Sequence, residues 1–352
     1  MRQNARKLPH LRSLWAGWIA ALLFCASAPV SWANHVHMEG GPFLGVVLSV
    51  AVDPRDPQVL YAAAYGGGVF RSRDRGASWT TLNQGLPNRQ LFSLLIDPTD
   101  SNQLYLGTDQ GVFHSADKGI SWKPLAPLLK SRNIRTLVVD PGNSGLLYAA
   151  TDQGVFQGKG SIWRKLSQGL TSRDVRILAV SPAGNVYAGT FGGVFKKGHK
   201  ESSWTPINSG LTAKQVRALA IDSISPDTLY AGTASGGVFR TTDRGKRWKA
   251  INQGLSNSSV LSLVITPVPQ RELYAGTVGG VFKSINGGES WLPVGEELPF
   301  TVPVLTFDPS EPRLLYAGSG GRIFKSSNAG ETWEEVAHEV NYFGPAALSA
   351  KR

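Results

Sequence analysis

From about residue 45 onward, the chain repeats one alternation of apolar runs and polar breaks. Each unit opens on a short apolar run, such as Val47 to Val52, Leu91 to Ile96 or Val216 to Ile221. Several of these runs close on an Asp-Pro turn, at Asp53-Pro54, Asp97-Pro98, Asp140-Pro141 and Asp308-Pro309. A Leu-Tyr-Ala-Gly-Thr type of run follows, as at Leu229 to Thr233 and Leu273 to Thr277, then Gly-Val-Phe with two more residues, then a segment that starts at a tryptophan. The runs are short, rich in β-branched and aromatic residues, and separated by Gly, Pro, Asn and Asp, which predicts four strands per unit. No stretch keeps a helical period.

The unit recurs seven times. Trp79, Trp122, Trp163, Trp204, Trp248, Trp291 and Trp333 follow one another at steps of 43, 41, 41, 44, 43 and 42 residues. Seven tyrosines (Tyr61 to Tyr316) and seven phenylalanines (Phe70 to Phe324) keep the same beat. Four strands in each of seven units of ~42 residues predict an all-β, seven-bladed β-propeller with four antiparallel strands per blade. Closure into a ring is favoured over an open stack, because a ring leaves no end blade with an apolar face in water. Inner strands packed on both faces lose their alternation, as at Leu94, Leu95 and Ile96. The sequence leaves two segments able to fasten the ring, Val340 to Phe343 or Gly45 to Val47.

The turn before the fourth strand reads SxDxGxxW, with Ser72, Asp74, Gly76 and Trp79 in the first unit and Ser115, Asp117, Gly119 and Trp122 in the second. The fifth carries Asp243 and Trp248; the sixth and seventh put Asn286 before Trp291 and Asn328 before Trp333; the third and fourth have lost the pattern. An Asp or Asn here can accept backbone N–H bonds while Gly takes a left-handed conformation, so these residues are expected to build the fold. The motif resembles the Asp-box, or BNR, repeat of sialidases, xyloglucan-degrading glycoside hydrolases, the sortilin ectodomain and the photosystem II assembly propeller. That resemblance covers residues 47 to about 339 and implies the propeller fold, on which hydrolases and pure binding proteins both occur.

Residues 1–33 read as an export signal: Arg2, Arg6, Lys7 and Arg12 precede an apolar stretch from Leu14 to Ala28, and Ser31-Trp32-Ala33 offers a cleavage site. Residues 34–46 form a lead-in, 47–343 the propeller and 344–352 a tail. A mature protein in the periplasm or secreted, monomeric and without a stable membrane span, is the expectation. Loss of the leader removes four cations and no anion, so the formal charge falls from +11 to +7. No basic run or aromatic-studded basic stripe accompanies that surplus, so nucleic acid is not an expected partner. Cys25 is the one cysteine and leaves with the leader; among six histidines only His35 and His37 are close, so neither a metal nor a cofactor is expected.

In a propeller, the loops joining the second and third strands surround one end of the central channel. The units place Tyr65, Asp109, Asp152, Phe191, Ser235, Val278 and Gly320 there. Alignment of the first strands puts Leu48, Phe92, Arg135, Arg176, Arg217, Leu261 and Pro303 at one equivalent place near that face, so three consecutive blades offer arginine. Arg89, Arg132, Arg173 and Lys214 lie in the preceding loops and extend the cationic arc. The arc is expected to bind an acidic partner, a protein or a glycan, since guanidinium groups fork onto carboxylates. The competing expectation is that each arginine pairs with a nearby acid, with Asp109, Asp152 and Asp174 as candidates.

The resemblance also carries a catalytic alternative, a sialidase- or xyloglucanase-like glycoside hydrolase. Sialidases use three arginines, a tyrosine with a glutamate, and an aspartate, but this chain lacks their Arg-Ile-Pro segment. Leu60-Tyr61-Ala62 followed by Gly66-Gly67-Gly68 is similar to the stretch holding one catalytic aspartate of the xyloglucan-degrading enzymes. Ala64-Tyr65 stands there without a carboxylate, while Asp109 and Asp152 occupy the related place in later blades. No catalytic residue is assigned, and the job expected of the chain is that of a rigid assembly factor or scaffold.

Overall fold

The structure, a computed structural model, describes residues 45–130, 132–267, 271–299, 301–336 and 339–341. The expected leader and the 344–352 tail lie outside the described residues. Seven sheets of four antiparallel strands follow one another along the chain, and the 3₁₀ turn Pro127–Leu129 is the helical element among the described residues. The innermost strands are Val46–Val52, Leu91–Ile96, Ile134–Val139, Val175–Val180, Val216–Ile221, Val260–Ile265 and Val304–Asp308. Each packs on the next, and the first packs on the seventh, so the disc closes into a seven-bladed β-propeller.

Small residues let the blades approach. The second strands are almost wholly buried, and a Cβ on their glycines would strike the next blade: Gly189 would meet Val216 Cγ1 at 2.6 Å, Gly232 would meet Val260 Cγ1 at 2.5 Å. Gly318 of the seventh blade stands in the same relation to Val47 of the first, at 2.8 Å. Leu314, Tyr316, Ile323 and Val336 join Val47, Leu60, Phe70 and Trp79 in one buried cluster at that junction. Burying such side chains contributes roughly 1.5–3 kcal/mol each, so the ring is closed mainly by packing.

Both candidate fastening segments have a place in the disc, though different ones. Val46 and Val47 belong to the first blade's own inner strand, so the N-terminal segment adds no foreign strand. Glu339–Asn341 instead pairs in parallel with Ser78–Thr81, a fifth strand on the outer edge of the first blade; residues 342 and 343 lie outside the described residues.

The indoles tie neighbouring blades together. Trp122, Trp204, Trp248 and Trp291 donate their ring N–H to Leu82, Leu166, Ile207 and Ile251 of the preceding blade, at 2.6–2.8 Å. Their backbone N–H groups reach the same neighbours, at Gln84, Gln168, Ser209 and Gln253. In the preceding turn, Ser78 N–H donates to Asp74 Oδ1 at 2.9 Å, and Gly76 adopts φ +98°. Asp117 and Asp243 receive the corresponding bonds from Ser121 and Arg247, and Asn286 and Asn328 from Ser290 and Thr332. Amide and carboxylate therefore serve alike.

Candidate functional site

The channel mouth is built by a backbone irregularity that recurs around the ring. In six blades the inner strand carries one extra residue near its start: partner positions jump from Val47 to Ser49, Leu91 to Ser93, Ile134 to Thr136, Val175 to Ile177, Val216 to Ala218 and Val260 to Ser262. The skipped residues are Leu48, Phe92, Arg135, Arg176, Arg217 and Leu261. A bulge re-aims the side chain of its extra residue, which lets long polar groups stand at the mouth without breaking the strand's buried face. All six are half-buried, as is Pro303 of the seventh blade. The mouth is thus divided, with arginine on blades three to five and apolar side chains on blades six, seven, one and two.

The arginines are linked across blade boundaries. Asp174, just before the fourth inner strand, accepts Arg135 Nε at 3.1 Å and an Arg176 terminal nitrogen at 2.9 Å. Arg217 reaches Ser259 Oγ of the sixth blade at 3.4 Å, among its other contacts. The Arg176 guanidinium lies 4.4 Å over the ring of Phe191, and its buried Nε has no partner. Burial, and then the positive Arg135 beside it, lower the Arg176 pKa, while Asp174 offsets part of that. Two guanidiniums thus share one carboxylate, and the Asp152 carboxylate also acts on Arg176 without an ion pair to it.

For Arg135 and Arg176 the pairing is not one-to-one: both take Asp174, and neither Asp109 nor Asp152 forms an ion pair with an arginine among those seen in the described residues. Both oxygens of Asp109 accept Asn88 Nδ2, at 3.1 and 3.2 Å, and Asp152 Oδ2 accepts Asn133 Nδ2 at 3.1 Å. Asp152 keeps a second, buried oxygen without a partner. Those asparagines, three and one residues before their inner strands, were not picked out by the repeat, because they sit at different offsets. Arg132 turns to Gln153 and lies 5.1 Å over Phe156. Tyr65 sits apart from the arginines, against Phe92 with ring centroids 5.6 Å apart, and this aromatic pair between blades one and two also escaped the sequence. No group of three or more metal-ligating side chains, and no helix long and apolar enough to cross a membrane, occurs among the described residues.

No family model matches the chain. It is 35% identical over 91 residues to the xyloglucanase Xgh74A of Acetivibrio thermocellus, a stretch covering 21% of this chain and 11% of that enzyme. The chain therefore spans about a tenth of the length of the curated relatives it matches. Among solved structures, an ancestral GH74 enzyme superposes with a TM-score of 0.70 at 19% identity, covering 84% of this chain and 46% of that one. YCF48 bound to D1 peptide superposes with a TM-score of 0.64 at 19% identity, covering 81% of this chain and 94% of that one. At such identities the likeness is one of fold.

Proposed function

We propose that this propeller is an exported, non-catalytic binding module that holds a protein partner through acidic groups docked on the arginine side of its channel mouth. The observation that carries the reading is the shared carboxylate: Arg135 and Arg176, both half-buried at the mouth, divide Asp174 between them. Arg217 extends the arc by one blade. The exposed Phe191 and Val278 on the adjoining loops add contact area beside the charges. YCF48, which superposes over 81% of this chain and 94% of its own, is bound to D1 peptide, which supports this type of job.

The test is a photo-crosslinking side chain placed at Val278, on the mouth, and in parallel at Ile162, an exposed residue of a fourth strand. The reading expects a discrete protein adduct from the first position that vanishes when Arg135, Arg176 and Arg217 are alanine, and none from the second. Adducts from both positions alike, or adducts indifferent to the arginines, contradict it.

A glycan-cleaving reading is favoured by one observation, the stretch 35% identical to a xyloglucanase. It requires Asp109 and Asp152 to act as the carboxyl pair of a glycoside hydrolase. Xyloglucan turnover by the purified protein, lost on Asp109→Asn or Asp152→Asn, supports this second reading. Its absence at high enzyme concentration rejects it.

A further inference from the structure

A second feature lies away from the channel mouth, in the cleft between the first and second blades. This cavity of 470 Å³ is on the side that carries the SxDxGxxW turns and is lined by Asp53, Asp56, Tyr61, Arg71, Arg73 and Lys118. Arg71, in the third strand of the first blade, is 7% exposed. One terminal nitrogen donates to the Lys118 carbonyl of the next blade at 3.2 Å, and its buried Nε has no partner.

The ring supplies its own controls for this position. In the fifth blade the equivalent Arg240 donates to the Gly287 carbonyl at 2.9 Å and pairs with Glu289. In the sixth, Lys283 donates to the Ala329 carbonyl at 3.2 Å and pairs with Glu272 at 2.9 Å. The residues of blades one and two that stand where Glu272 and Glu289 would be are Val59 and Ile120. The cation is kept and its acid is not. Nor do the two nearby aspartates serve: Asp53 Oδ1 accepts the Ser101 hydroxyl at 2.6 Å and the Arg55 N–H at 2.9 Å, and Asp56 faces the Gln58 N–H at 3.3 Å. No carboxylate among the described residues forms an ion pair with Arg71. Arg73 and Lys118, both exposed, add two more cations at the rim.

We infer that this cleft is a second ligand site, for a compact tetrahedral oxyanion, phosphate or sulfate, either free or carried on a small molecule. The Arg71 guanidinium in the cleft wall and the two exposed cations beside it can supply the charge-assisted hydrogen bonds that such a group takes. Burial, and then the charge of Arg73, weigh against the ionised Arg71, and the attraction of a bound anion opposes both.

The test is calorimetric titration of the purified protein, in an anion-poor buffer, with inorganic phosphate, sodium sulfate and a sugar phosphate. Saturable binding is expected, weakened about tenfold or more by Arg71→Gln and unchanged when Arg135, Arg176 and Arg217 are alanine. Because Arg71 also ties the second blade to the first, the exposed double variant Arg73→Gln/Lys118→Gln provides a readout that leaves the buried contact intact, with weaker binding expected. Tighter binding of the sugar phosphate than of phosphate assigns the site to a carried group, and the reverse to the free ion. No saturable heat from any of the three, or binding that both variants leave unchanged, overturns the inference without touching the channel-mouth reading.

Discussion

Replacing Gly254 by alanine should loosen the junction between the fifth and sixth blades. Gly254 has φ +81°, and a Cβ there would lie 2.1 Å from the carbonyl oxygen of Trp291. The left-handed backbone costs an alanine about 1 kcal/mol. The overlap is with backbone and needs a shift of roughly 1.3 Å to reach ordinary contact. That shift strains the Trp291 N–H bond to Gln253 and the indole bond to the Ile251 carbonyl at 2.7 Å, each contributing about 1 kcal/mol. The total is about 3 kcal/mol, or roughly 5–10 °C in the thermal midpoint. Gly280→Ala separates the two parts, because Gly280 has φ +106° but nothing within 4 Å of its would-be Cβ. It should lose only the backbone part. Denaturant melts of both variants decide the matter: if Gly254→Ala is no worse than Gly280→Ala, the glycine–tryptophan contact does not hold the blades.

Three further outcomes follow from the same geometry. Asp74→Asn should change stability by less than ~1 kcal/mol at pH 7, because Asn286 and Asn328 make the same bond; Asp74→Ala should lose ~1–2 kcal/mol. Burial, which alone raises the Asp74 pKa, is outweighed by hydrogen bonds from Ser72 and Ser78, so its carboxyl sits below the usual range. Its stabilisation is present above the ordinary carboxylate pKa and lost as pH falls through the depressed value, and a melt series against pH should lose that component in Asp74→Asn. At the alkaline end, burial and then the Asp140 carboxylate push Tyr148 up to about 12, so its contribution is intact below pH 10 and fades as pH rises toward 12. Tyr148→Phe should flatten that part of the curve. Asp174→Asn removes the one acid shared by Arg135 and Arg176, and should tighten binding of an acidic peptide several-fold by calorimetry, at a cost in thermal midpoint because two half-buried guanidiniums lose their acid.

The ring itself was legible because seven tryptophans, tyrosines and phenylalanines recur at nearly one period, and a period of four short strands has few ways to bury its faces. The equivalence of Leu48, Phe92, Arg135, Arg176, Arg217 and Leu261 was legible too, from alignment of the first strands. That they are bulge residues was not, since a bulge shows only in the pairing with the second strand. Asp174 could be named as a candidate partner, but its division between two blades depends on how closely adjacent inner strands pack. Asn88 and Asn133 stayed hidden for a related reason: loops hold their acids from whichever offset geometry allows. The contact of Gly254 with Trp291 joins residues 37 positions apart in neighbouring units, so nothing local in the chain announces it. The missing acid beside Arg71 became visible only once the blades could be compared as solids, with Val59 and Ile120 where other blades place glutamates.

The most direct measurement of the central claim is fluorescence anisotropy of a labelled peptide rich in Asp and Glu, titrated with the wild-type protein and with the Arg135→Ala/Arg176→Ala/Arg217→Ala variant at several salt concentrations. Salt-sensitive binding by the wild type, lost in the variant while its melting curve stays within about 2 °C, is the predicted result. Equal binding by both proteins, or a variant that loses binding only by unfolding, would contradict it.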